Sequence, residues 1–298
     1  IYELMKYHFA IKLDNFEKSY PYANITKIFS NNFGISEQIY DTISLSIEFL
    51  NASFEVHEDV RNGNTERLGR ESLWWKYGPA QAINVGDGFQ ALSRSILLEL
   101  VDHCDNHQSI LSVISKLDDS IIEICEAENL ELKLQEAPIT TLDDYKQIIE
   151  SKFGALLSNC LILPSIISLN KHTDLRDLSN KLVVFEKIRR DVEFFEDDKN
   201  IDSPQFGSIL SKSKPLPVIF AMKDGTPTQK RMLGEIYLER VIDPQNINKI
   251  KDICNDVDSV AKSKSLSDDY KESSLKIIKD LKLISNDIEQ IFLILQNI

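Results

Sequence analysis

The chain is poor in the residues that interrupt helices. Only 10 glycines and 9 prolines occur among 298 residues, which excludes a loop-rich or collagen-like chain and favours long helical segments. Cysteine is also sparse. Cys104, Cys125, Cys160 and Cys254 are widely spaced, with no CxxC pair. That excludes a disulfide framework and a zinc-ribbon layout, and predicts reduced, mostly buried thiols in a cytoplasmic protein. Positive charge is short: 34 Lys and Arg stand against 47 Asp and Glu, so 34 − 47 gives −13. Nucleic acid and anionic membrane, which select basic faces, are therefore poor candidates as main partners, although an acidic protein can still hold a basic pocket. No run reaches the ~18–20 uninterrupted apolar residues of a membrane span, and the opening IYELMKYHFAIKLD lacks the layout of a signal peptide. No GxGxxG or Walker loop is present. His8, His57, His103, His107 and His172 form no spaced metal set; His103 and His107 are four apart but fall in an expected loop.

What the chain does have is helical periodicity. Ile43, Ile47, Leu50 and Phe54 recur at three and four. So do Ala91, Leu92, Ile96, Leu97, Leu100 and Val101, and so do Ile110, Val113, Ile114, Leu117, Ile121 and Ile124. Thr140-Thr141-Leu142-Asp143 predicts a capped helix start. The tail from about 246 predicts a pair of amphipathic helices. No segment alternates at period two and no break separates domains. The expectation is all-α: residues 1–298 as one bundle of about ten helices.

Residues 56–87, VHEDVRNGNTERLGRESLWWKYGPAQAINVGD, carry the most chemistry. His57, Glu58, Asp59 and Asn62 precede a turn at Gly63; Arg67 and Gly69 follow; then come Trp74, Trp75 and Tyr77, and Ala82-Ile83-Asn84-Val85-Gly86-Asp87. The order resembles the first aspartate-rich region of the trans-prenyl diphosphate synthases, the polyprenyl synthetase family: histidine, DDxxD, RRG and A-I-N-x-G-D. Met5-Lys6-Tyr7-His8, Glu128 to Glu136, Thr140, Tyr145, Lys152-Phe153-Gly154-Ala155-Leu156, Phe185 to Asp191 and Lys212-Ser213-Lys214-Pro215-Leu216-Pro217 resemble further family strings in the same order. The resemblance implies an isoprenoid synthase fold, helices around a central cavity, a prenyl diphosphate substrate, magnesium, and a homodimer or a heterodimer with a homologue.

Ionising an allylic diphosphate requires its charge to be neutralised, by magnesium on hard oxygen ligands and by Lys or Arg. Carboxylates four apart on a helix share one face, and the family carries such a pair on each of two helices. In the first motif the ligands become Glu58, Asp59 and Asn62, a weakened metal set that implies a reduced magnesium dependence. In the second, Phe185-Glu186-Lys187-Ile188-Arg189-Arg190-Asp191-Val192-Glu193 places Arg189 and Arg190, or Arg190 and Asp191, where aspartates are expected. Arginine binds phosphate rather than metal. At the isopentenyl diphosphate site, the second arginine of RRG is Leu68, and the early basic segment survives near Lys18-Ser19-Tyr20-Pro21 mainly as Pro21. Arg67, Lys152, Lys212 and Lys214, associated with the allylic diphosphate, are present, and Phe54 lies where family members limit chain length. This asymmetry points first to a terpene synthase-like protein that ionises one allylic diphosphate without isopentenyl diphosphate. A catalytically impaired regulatory subunit of a heteromeric synthase is the second reading, and a divergent chain-elongating synthase the third.

Overall fold

Helix starts follow local chemistry in the computed structural model, which describes residues 1–11, 19–137, 139–169, 174–196 and 204–297. Lys18, His172, Asp197 and Asp198, singled out from the sequence, lie outside them. Along the chain come α1 (Tyr2–His8), α2 (Pro21–Asn32) and α3 (Glu37–Asn62), then a hairpin of β1 (Glu66–Arg67) and β2 (Arg70–Glu71). Next are α4 (Leu73–Tyr77), α5 (Pro79–Ile96), a 3-10 turn over Leu97–Asp102, and α6 (His107–Glu136). A π-helical turn, Glu150–Gly154, separates α7 (Leu142–Ile149) from α8 (Ala155–Ile167). After α9 (Leu175–Glu196) come α10 (Pro204–Leu210), α11 (Leu216–Asp224) and α12 (Pro227–Leu238). The tail forms α13 (Asn246–Asp256), α14 (Ser259–Asp280) and α15 (Ser285–Leu295). The architecture is all-α. Ten of these helices run eleven residues or more, in line with the count expected from periodicity.

The capping residue anticipated near Thr140 is Thr141. Its hydroxyl accepts from Asp144 N at 3.1 Å, and Asp144 Oδ2 accepts from Thr141 N at 2.9 Å, a reciprocal box that satisfies two orphan donors. Thr226 and Gln229 repeat the device ahead of α12, and prolines open α2, α5 and α12 at positions where no amide hydrogen is needed. The tail corrects the expectation of two helices. Asp258 and Lys282 adopt left-handed backbone (φ 56° each) and divide it into three.

Packing groups the chain into two compact units. One comprises residues 1–121, 156–175 and 283–298; the other comprises 122–155 and 176–282. In the first, α3 buries Ile39, Ile43, Ile47, Leu50 and Val56 along one stripe, the spacing of an amphipathic helix. Met5, Phe9, Ala52, Val56, Leu73, Ala82, Val85 and Phe89 form a core behind the first motif. In the second, Leu178, Leu182, Val184 and Ile188 of α9 are fully buried, as are Leu216, Val218 and Ala221 of α11.

Candidate functional site

The first motif ends α3. Gly63 caps the helix at φ 68°, a conformation open to glycine at little cost, and the following hairpin returns Arg67 toward the last turn of α3. The hairpin turns at Leu68 and Gly69, both with positive φ (53° and 70°), as a tight two-residue loop requires. Leu68, at the position of the missing second arginine, is 47% exposed and carries no charge.

Arg67 closes on Asp59. Nε lies 2.8 Å from Oδ2 and Nη2 2.8 Å from Oδ1, a bidentate pair of the stronger kind. Asn64 Nδ2 donates to Oδ1 at 3.2 Å. Glu55 and Glu58 flank the guanidinium at 3.5 and 3.6 Å. Burial alone would lower the Arg67 pKa. The Asp59 hydrogen bond and the charges of Glu55, Asp59 and Glu58 more than reverse this and hold the group protonated. Arg61 Nη2 stands 3.7 Å from Glu58, and Arg61 Nε donates to Asn62 Oδ1 at 3.4 Å. Glu58, Asp59 and Asn62 are therefore each engaged with an arginine. Among the described residues no three His, Cys, Asp or Glu side chains are grouped to hold a metal. Phe54 sits half-buried one turn earlier on α3.

One part of this motif has a steric explanation that spacing did not reveal. Gly86 on α5 leaves room for the His57 ring, since a Cβ there would lie 2.2 Å from Nε2. That nitrogen is 3.3 Å from Asp87 Oδ1. His57, Gly86 and Asp87 are one packing unit. Gly86→Ala is expected to force the ring away from Asp87, with a net stability change within about 1 kcal/mol, because the gain of alanine over glycine inside a helix offsets the displacement of a partly exposed ring. The check is the His57 ring resonances by NMR: resonances unchanged from wild type would refute the close fit. Trp74 Nε1 donates to Asn64 O at 2.7 Å and packs against the core, whereas Trp75 is 55% exposed.

The second motif lies on α9. Arg189 reaches back to Glu186 through Nε and Nη2, both 2.8 Å, and forward to Glu193 at 3.2 Å. The Glu186 hydrogen bond raises its pKa. Arg190 Nε also bonds Glu186, at 2.9 Å. Asp191 is 1% exposed. Its Oδ2 accepts from Tyr145 OH of α7 at 2.8 Å and from Leu216 N, the first amide of α11, at 3.0 Å; Oδ1 accepts from Lys187 Nζ at 2.6 Å. Burial, then the Asp191 charge and hydrogen bond, push the Tyr145 phenol well up. Asp191 thereby joins α7, α9 and the start of α11.

Beside it opens a cleft of about 540 Å³, counting its open mouth. Lys187, Lys212 and Lys214 line it, with Glu131 as the one acidic lining residue among the described residues, and Leu134, Ile148, Ile149 and Phe153 supply apolar wall. Lys212, in left-handed backbone (φ 67°), bonds Glu136 at 3.4 Å. Lys214 donates to Leu134 O at 2.9 Å and lies 5.3 Å from the Tyr237 ring centroid. Its pKa falls from 10.5 to about 8, through burial first and the nearby Lys212 second, offset by Glu136. Lys152, on the π-helical turn, is buried against Glu131 (3.2 Å) and Glu128 (3.8 Å) and is not among the lining residues. Of the four cations expected to hold diphosphate, the structure places Lys212 and Lys214 in this cleft. It adds Lys187, which spacing had not singled out. The signal was its position four before Asp191, where an ion pair forms across one turn.

The model of the polyprenyl synthetase family matches residues 24–257. The chain belongs to the polyprenyl synthetase family. It is 22% identical over 237 residues to the short chain isoprenyl diphosphate synthase of Methanocaldococcus jannaschii, covering 78% of this chain and 70% of that protein. It is 24% identical over 225 residues to the octaprenyl diphosphate synthase of Escherichia coli, covering 72% and 67%. The crystal structure of a polyprenyl synthetase from Streptomyces coelicolor superposes with TM-score 0.83 at 15% identity, over 98% of this chain and 90% of that one. The geranylgeranyl pyrophosphate synthetase of Pyrococcus horikoshii gives 0.82 at 17% identity, over 99% and 88%. The fold is that of the isoprenoid synthases. No helix among the described residues is long and apolar enough to cross a membrane, and all four cysteines are free thiols, with Cys160 and Cys254 buried and Cys125 exposed.

Proposed function

We propose that this family member binds one allylic prenyl diphosphate and ionises it without isopentenyl diphosphate, in the manner of a terpene synthase. The observation that carries the reading is the Lys212–Lys214 cleft, which joins cations to apolar wall inside a protein of net charge −13. An amphiphile with a diphosphate head and a hydrocarbon tail has that complementarity. Lys214 has the most to gain. Its ammonium bonds a backbone carbonyl, and an arriving anion offsets both its burial and the repulsion of Lys212. Preorganised charge of this kind stabilises a departing pyrophosphate. Leu68 leaves the second-substrate position without a cation, which favours one substrate over two. A dimer of this chain, or with a homologue, belongs to the same proposal.

A second reading, an impaired regulatory subunit, draws support from Asp59 and Asp191. Both sit at motif positions, and both have their oxygens engaged by protein donors. Assays with ten-, fifteen- and twenty-carbon prenyl diphosphates separate the readings. Pyrophosphate release without isopentenyl diphosphate is the expected result. No release at any magnesium concentration favours the subunit, and release only when isopentenyl diphosphate is condensed favours chain elongation. Binding of a non-hydrolysable allylic analogue should be tighter than that of isopentenyl diphosphate and should depend on Lys214. The ammonium is the binding form, so affinity is expected to be level below about pH 8 and to weaken above it, by at most about tenfold per pH unit. Lys214→Arg should flatten this profile. Folding stability carries the opposite sign. The unfolded lysine keeps its proton up to about 10.5, so this group makes the protein more stable as pH rises between those values. An analogue affinity that does not change across pH 8 would remove Lys214 from the site.

A further inference from the structure

We infer that Lys187, held on the buried Asp191 carboxylate, supplies the cleft with the fixed positive charge that a metal would bring to this motif. The inference rests on the cleft being the diphosphate site. Lys187 lines the cleft and also the smaller adjoining one bounded by Asp191, Phe194 and Ile209. Its side chain is 30% exposed while that of Asp191 is 1% exposed. The pair therefore has one face in the protein and one toward the opening. An ammonium carries three donors. One is used on Asp191 Oδ1 at 2.6 Å, and two remain for an anion.

Three of the four lone-pair sites on the carboxylate are taken: Oδ2 accepts from Tyr145 OH and Leu216 N, and Oδ1 from Lys187. A magnesium ion on Asp191 would have to crowd in beside the Lys187 ammonium at Oδ1 or break the bonds that seat α11. Lys187 bridges carboxylate and ligand as a metal does, but as part of the chain. The arginines of this motif do not fill the role: Arg189 and Arg190 both fasten on Glu186, and none of these three lines the cleft. The consequence is that diphosphate recognition here does not depend on a divalent ion.

The test is calorimetric titration of the whole protein with inorganic pyrophosphate in EDTA. Wild type is expected to bind. Lys187→Gln is expected to weaken binding by ~10- to 100-fold, the loss of one charge-assisted contact, and Lys187→Arg to stay within ~3-fold of wild type by keeping the charge. Thermal unfolding of each variant is followed alongside. Wild-type binding that appears only with magnesium overturns the inference while leaving the proposed function standing. So does unchanged affinity in Lys187→Gln, or equal loss in the Gln and Arg variants. Failure of wild type to bind pyrophosphate or an allylic analogue under any condition rejects the proposed function itself.

Discussion

Replacing Asp191 with alanine is expected to destabilise the protein by about 3–5 kcal/mol. The side chain is 1% exposed, and three donors from three places converge on it. Removal leaves the Tyr145 hydroxyl and the Leu216 amide buried without their acceptor. An orphaned buried donor costs roughly 1–3 kcal/mol, and two such groups dominate the sum. Lys187 loses its partner as well, but it reaches solvent and relaxes at small cost. Asp191→Asn should be milder. An amide oxygen still serves Tyr145 and Leu216, while the amide nitrogen meets the Lys187 donor instead of an acceptor. Urea unfolding of both variants checks the order, and hydrogen exchange at the Leu216 amide reports the lost bond directly. If alanine and asparagine are equally harmless, Asp191 is not the anchor of α11 described above.

Asp59→Ala is expected to cost about 3 kcal/mol, the low end for breaking one side of a buried ion pair. The Arg67 guanidinium would keep Glu55 and Glu58 at 3.5 and 3.6 Å but lose both short bonds to Asp59. The reverse change, Arg67→Met, leaves Asp59 buried beside two more carboxylates. That arrangement is expected to bind a divalent cation better than the wild-type one, because the competing guanidinium is gone and the carboxylates are free to regroup. Magnesium at millimolar concentration should therefore raise the melting temperature of Arg67→Met more than that of wild type, since a ligand stabilises only the state that binds it. Equal shifts in the two proteins would show that Arg67 does not hold the first-motif carboxylates against a metal.

The architecture was legible before any coordinates. Few breakers, apolar residues at three and four, and the cap at Thr141 are local properties, and local properties decide helices. Family membership was legible too, because ordered strings such as His57 to Asn62 and Ala82 to Asp87 survive in one dimension. The same strings marked Arg67, Lys212 and Lys214 as cations of interest. They did not show what each group touches. Lys187 was only a letter of the second motif, and only the turn of α9 set it on Asp191. Asp191 stood, in one of two registers, at an aspartate position of the second motif, and only the packing of α7 and α11 gave it Tyr145 and Leu216. Arg189 and Arg190 read as phosphate ligands, and the three- and four-residue spacing to Glu186 drew both onto their own helix. Gly86 read as a motif letter until the His57 ring filled its space. Residue type and spacing determine which helices form and which charges the protein owns. The partner of each charge is decided by distances across helices, because Coulomb and hydrogen-bond terms fall off within a few ångströms and only the folded chain sets those.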